Sequence, residues 1–204
     1  MNTEYVSPGK PRVSGAIYRA AAGSTVPTDA VTPLAETFAE LGYVSEDGVT
    51  NSNTAEKTDI YSWGGTPVMK TTDRKPDDWT YTLLEALNPE VLKTVYGDSN
   101  VVVSDDGKSI SVMATADDTG EAVYVIDMAL SNNSLKRIVI PKGVLGSVAE
   151  IVYRDKQPIG YKITISALYD ASGRSHYEYI QRGSSEAATA SLVGNDDGET
   201  EAEA

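Results

Sequence analysis

Apolar and polar residues alternate over much of this chain, and a period of two predicts strands. In residues 79–84, Trp79, Tyr81 and Leu83 share one side while Thr80 and Thr82 share the other. These residue types suit a pleated, half-buried surface. Residues 159–169 repeat the pattern, with Tyr161, Ile163, Ile165, Ala167 and Tyr169 opposed to Lys162, Thr164 and Ser166. Residues 121–130 put Tyr124, Ile126, Met128 and Leu130 on one side, with Glu121 and Asp127 on the polar side. Val101-Val102-Val103 and residues 108–113 flank Ser104-Asp105-Asp106-Gly107, a hairpin signal. Residues 136–140, 143–153 and 176–180 add short strands, and Asp117–Gly120 and Asp170–Gly173 read as turns. A single helix is predicted after Asn88. Asn88 is an N-cap, Pro89 suits the first helical position, and Glu90 favours the positive end of the helix dipole. Val91, Leu92 and Val95 form its apolar stripe, and Gly97 ends it. Many short strands with one helix indicate a mainly β protein, an antiparallel sandwich or barrel with one short flanking α-helix.

The stretch 40–97 departs from this rhythm. It opens with a strand that contains a turn signal, Glu46-Asp47-Gly48, and then makes a long polar excursion over residues 50–78. Within the excursion, Tyr61 and Trp63 fall on one strand face, Gly64-Gly65 turns the chain, and residues 66–71 can pair back. Residues 73–78 read as a solvated loop. An excursion too long for a turn and too polar for a core is the main sequence clue to function. Residues 1–33, rich in Pro, Gly, Ala and Thr, read as an N-terminal arm that lies on the body or on a neighbour; Val13, Ala16, Ile17 and Tyr18 offer one short strand in it. Leu34, Phe38 and Leu41 fit either a helical or an extended segment. Residues 34–182 make the β domain, and residues 183–204, rich in Ser, Ala, Gly, Asp and Glu, read as a flexible acidic tail.

Composition narrows the classes. The chain has 204 residues, 40% of them hydrophobic, enough for one domain with a proper core. No apolar run approaches the ~20 residues that span a bilayer, so membrane insertion is not expected. The first residues lack the basic and apolar regions of a signal peptide, which points to synthesis in a cytoplasm without export. There is no cysteine, hence no disulfide framework and no thiolate metal site. Formal charge is −13, and the body stays acidic when the acids after Arg182 are set aside. Such a field repels phosphates and argues against a sequence-reading DNA binder.

Candidate chemistry is sparse. His176 is the only histidine, and its neighbours in sequence supply neither a nucleophile nor an orienting acid, so it reads as an ordinary strand side chain. Asp105-Asp106-Gly107 and Asp196-Asp197-Gly198 lack the alternating ligands of a calcium loop. No Gly-Lys-Ser/Thr follows the glycine pairs, so they are not phosphate cradles. The paired acids Asp77-Asp78 and Asp117-Asp118 lie in loops where carboxylates are solvated, without an aromatic platform for sugar. No enzyme, cofactor or metal is expected. Tyrosine stands out, with 12 against a single Phe. Its apolar ring and polar tip suit sheet rims and, equally, subunit contacts.

Several short motifs, in their order along the chain, carry a family likeness. Gly42-Tyr43-Val44-Ser45-Glu46-Asp47-Gly48-Val49 followed by Asp59-Ile60-Tyr61-Ser62-Trp63-Gly64-Gly65 resembles the opening of the major tail (tail tube) proteins of long, non-contractile-tailed bacteriophages. The runs from Leu84 to Leu92, from Arg137 to Gly143, and from Ile163 through Asp170 to Gly173 resemble later parts of the same family. The resemblance implies a structural virion protein whose copies, six by this likeness to the family, close into rings that stack into a tube around a tape-measure protein. DNA later passes down that conduit into the host. Tail-terminator and distal tail proteins are the further partners it implies, and the location is the virion tail. It also implies an inter-ring loop, mapped here to Asn51, Asp59, Tyr61, Trp63, Lys70, Arg74 and Asp77, and lumen-facing acids, for which Glu121 and Asp127 are the candidates. The competing expectation is a particle-displayed β-sandwich that binds a receptor or carbohydrate through exposed aromatics with convergent polar groups.

Overall fold

In the computed structural model, residues 5–12 and 15–183 are described. Thirteen strands and one helix follow in order: β1 (Lys10–Pro11), β2 (Ile17–Ala21), β3 (Ala39–Glu40), β4 (Val44–Ser52), β5 (Glu56–Tyr61), β6 (Pro67–Arg74), β7 (Asp78–Leu83), α1 (Pro89–Tyr96), β8 (Val101–Val103), β9 (Ile110–Val112), β10 (Glu121–Ala129), β11 (Leu135–Val148), β12 (Tyr161–Ala167) and β13 (Tyr177–Gln181). Every pairing is antiparallel, as expected of a mainly β chain with one short helix.

Nine strands form the main sheet along the path β3-β2-β10-β11-β12-β7-β4, with β1 joined to β10 and β13 to β11. The sheet is open: β3 and β4 end the path, and β13 pairs on one side only among the described residues. β7 and β12 carry the alternation legible in the sequence. Trp79, Tyr81, Leu83, Tyr161, Ile163 and Ile165 are buried in the principal core, together with Val91, Leu92 and Val95 of α1. On the opposite face of the pair the Thr80 and Thr164 hydroxyls meet at 2.9 Å. The helix begins and ends on its predicted signals. Asn88 accepts from the Glu90 N–H at 3.0 Å, and the Gly97 N–H reaches the Lys93 carbonyl at 2.8 Å with φ at +96°.

β10 differs from its predicted one-sided pattern. Its faces are both covered: Ala122, Tyr124 and Ile126 enter the principal core, while Val123 and Val125 join Ala20, Phe38 and Val139 in a second cluster. A strand covered on both sides reads as a continuous apolar run. Leu34 and Phe38 belong to the cover, with Phe38 leading into β3 in extended chain instead of a helix.

β11 likewise corrects the expected break at Pro141. It is one strand of 14 residues, and two β10 steps from Ala122 to Tyr124 match three β11 steps from Gly143 to Ile140. Proline, which lacks an N–H, is tolerated at such a bulge. Pro141 also lies where β11 passes from its partner β13 (Val139 opposite Tyr177) to β12 (Gly143 opposite Ala167). Gly143 is required there, since a Cβ would come within 2.6 Å of the Tyr124 ring.

Over its described residues the N-terminal segment lies on the body, one of the two positions expected for it. β2 is a strand of the main sheet with Ile17 fully buried, so the body begins well before residue 34. β1 pairs with the end of β10, and the Ser131 N–H donates to Ser7 Oγ at 2.6 Å. Asp127 explains how the following loop is held. Its carboxylate accepts Arg137 Nε and Nη2 at 2.6 and 2.7 Å, and Arg137 Nη1 reaches the Asp29 and Thr32 carbonyls at 3.1 and 2.8 Å. The expected acidic tail beyond residue 183 lies outside the described residues.

Candidate functional site

The excursion predicted between residues 50 and 78 is a hairpin that leaves the sheet. β5 and β6 pair only with each other, with Thr58 opposite Thr71 and Asp59 opposite Lys70. A five-residue turn joins them: Ser62 N–H donates to the Thr66 carbonyl at 2.8 Å, and Gly65 N–H to the Ser62 carbonyl at 3.0 Å. Gly64 and Gly65 have φ of +109° and +84°, a region open to glycine at little cost. No residue of either strand is buried.

The exposed hairpin is nonetheless apolar toward its tip. Trp63 is fully exposed, and Ile60, Tyr61, Val68 and Met69 are largely so. Nearer the body the strands are polar and paired by charge: Lys70 meets Asp59 at 3.2 Å, and Arg74 meets Glu56 at 2.6 Å. Such exposed pairs contribute only about 0–1 kcal/mol. They favour the register without anchoring the hairpin to the body. An apolar tip on a polar stalk is the pattern of a surface completed by a partner.

The root of the hairpin is built differently. Residues 73–78, expected as a solvated loop, contain a buried carboxylate: Asp77 is 3% exposed. Its Oδ1 accepts Asn51 Nδ2 at 2.7 Å, and its Oδ2 accepts Ser175 Oγ at 2.6 Å and bonds with His176 Nδ1. Its backbone carbonyl takes the Ala167 N–H at 2.8 Å. The His176 ring stands edge-on to Trp79, with centroids 5.2 Å apart at 80°. Burial pushes the Asp77 pKa up, but the bonds from His176, Ser175 and Asn51 prevail and hold it at about 2. The same contact with Asp77 raises the pKa of His176 against the opposing effect of burial. Sequence reasoning missed this cluster because Asp77 and His176 are 99 positions apart. The cluster does not make a nucleophile, since the Ser175 hydroxyl donates to the carboxylate and not to the imidazole.

The predicted loop residues therefore divide. Tyr61 and Trp63 come together at the tip, Asp59, Lys70 and Arg74 lie along the stalk, and Asn51 and Asp77 form the root. The two candidate lumen acids also part company. Glu121 is exposed and lies 3.2 Å from Lys142 Nζ. Asp127 is 5% exposed and bound by Arg137, so it offers no carboxylate to solvent. The β10 face on which it was read as polar is the face covered by the second cluster. Among the described residues no group of three or more His, Asp or Glu side chains is placed to hold a metal ion, and no helix is long and apolar enough to cross a membrane.

Among the described residues, then, the chain is an open antiparallel sheet with edges left unpaired and an apolar hairpin projecting from it. A family model described as phage tail tube protein matches residues 4–191, and the chain belongs to that family. No curated protein matches the chain significantly. Membership places the protein among the components of the virion tail and implies self-assembly into a tube.

Proposed function

We propose that this protein forms rings, six copies each by likeness to the family, that stack into the tail tube and carry DNA toward the host. Host-cytoplasmic synthesis, a tape-measure protein within the tube, and terminator and distal tail proteins at its ends belong to the same reading. The observation that carries it is the hairpin of β5 and β6, which buries nothing in its own subunit yet ends in Tyr61 and Trp63. Its assigned role is to dock on the adjacent ring. The outer edges of β4 and β13, unpaired among the described residues, support lateral closure, because a ring removes the edges that a lone sheet leaves open. Glu121 is the surviving candidate for an acid facing the lumen, where negative charge lets phosphates slide past. The N-terminal residues, of which 5–12 lie along the body, and the acidic segment after residue 183 are assigned further contacts with neighbouring subunits.

The test replaces residues 57–73 with a short Gly-Ser turn, keeping Asn51 and Asp77. The shortened chain is expected to fold with near-native circular dichroism and to form no hollow tubes in negative stain. Tubes of normal width and length from that chain would sink the docking role. The receptor- or carbohydrate-binding alternative requires aromatics around a concave polar site. Tyr61 ends β5 and Trp63 lies in the exposed turn after it, and neither lines the clefts beside His176 or Glu85.

A further inference from the structure

Docking at a distance needs a lever held at a fixed angle, and the β5–β6 ladder, which continues the register of β4 and β7 (Ser52 opposite Asp78, Glu56 opposite Arg74), is interrupted from it at residues 53–55 and 75–77. Its orientation is set at the root. There Asp77 joins four segments that leave in different directions: the end of β4 through Asn51, the junction of β6 and β7, the end of β12 through the Ala167 N–H, and the turn before β13 through Ser175 and His176. The knot borders the principal core through the His176 ring, which stands against Trp79, but its own contacts are polar. A buried carboxylate with three side-chain partners is rigid when all are engaged and costly when any is missing.

Resting on the inter-ring reading of the hairpin, we propose that Asp77 is the hairpin's positioning residue, and that the charge on His176 sets how firmly the knot holds and how readily rings stack. Groups from each neighbouring segment act on that charge. Asp77 contacts the ring, Glu178 lies two positions along β13, and Lys136 of β11 pairs with Glu178 at 2.8 Å. Lys75, Tyr169 and Arg174 line the cleft that His176 also lines. Asp77 and Glu178 favour the protonated imidazole, and Lys136 opposes it.

The direction in pH follows. Because the folded pKa of His176 is raised, its contribution is complete below the ordinary value of 6.5 and is lost as pH rises through the raised value. Because that of Asp77 is lowered, its contribution is complete above 3.8 and is lost as pH falls toward about 2. The knot is therefore strongest between those two ordinary values and weakens on the alkaline side.

The experiment follows tube growth of the full chain by light scattering and negative stain at about pH 6 and about pH 9. The melting temperature of the unassembled subunit is recorded beside it. Three variants divide the possibilities. His176→Asn keeps an N–H donor near the position of Nδ1 but does not titrate. His176→Phe keeps a ring against Trp79 and removes the donor. Ser175→Ala removes one donor and leaves the imidazole. The native chain is expected to grow tubes roughly tenfold more slowly at the higher pH, the scale of one charge-assisted hydrogen bond. His176→Asn is expected to lose that difference, His176→Phe to grow slowly at both values, and Ser175→Ala to slow by a smaller factor at both, with melting temperatures within a few degrees of native. The proposal is overturned if His176→Asn keeps the native pH profile, if His176→Phe and Ser175→Ala assemble like the native chain, or if growth falls only in step with melting temperature. Tubes formed without residues 57–73 would instead overturn the docking role itself, a separate result.

Discussion

β7 and the β5–β6 hairpin are consecutive in sequence, rich in the same β-favouring residues, and opposite in fate. β7 buries Trp79, Tyr81 and Leu83 between β12 and β4. The hairpin, with Ile60, Tyr61, Val68 and Met69 available, buries none of them. Propensity made strands of both. The difference is what covers the apolar face: that of β7 packs into the principal core with α1 and other strands of the main sheet, whereas the hairpin is carried clear of the body by its root. Burial of a large apolar side chain stabilises by about 1.5–3 kcal/mol. That stabilisation is realised within the subunit for β7, whereas the apolar side chains of the hairpin stay exposed.

Substitutions should separate the two regions. The largest loss of stability is expected for Arg137→Ala, which leaves Asp127 buried with only the longer 3.7 Å contact from Arg12 and frees the loop at Asp29 and Thr32. About 3–5 kcal/mol should be lost in chemical denaturation, and a value near zero would show that water reaches Asp127. Ile163→Ala, in the fully buried centre of β12, should cost about 2–5 kcal/mol by the same measurement. Asn88→Ala removes the helix cap and should cost about 1 kcal/mol. Trp63→Ala should change subunit stability by less than about 0.5 kcal/mol. The order inverts when tube growth is measured: Trp63→Ala is then expected to be the most damaging per unit of stability lost. A Trp63→Ala chain that unfolds easily would mean that the tip packs on its own body, and the contrast between the two regions would collapse.

The two buried carboxylates sharpen the comparison. Asp127 and Asp77 are each held by donors distant in sequence, yet one fastens the N-terminal loop across the main sheet and the other fastens a lever. In sequence both looked like exposed acids. Asp127 sat in an apparent polar face, and Asp77 in a charged run with Arg74, Lys75 and Asp78. Nothing local distinguishes a solvated acid from one whose partners arrive from elsewhere in the chain.

Local physics was enough to determine the helix from Asn88 to Gly97, the alternation of β7 and β12, the hairpin turn at Gly64-Gly65 and the β8–β9 turn. In each case the deciding interactions lie within a few residues, so the sequence states them directly. The covered second face of β10, the unbroken β11 across Pro141, the inclusion of β2 in the body and the Asp77–His176 knot were decided only in the tertiary structure. Each depends on which distant segment lies alongside, and burial and charge pairing are properties of that neighbour as much as of the residue itself.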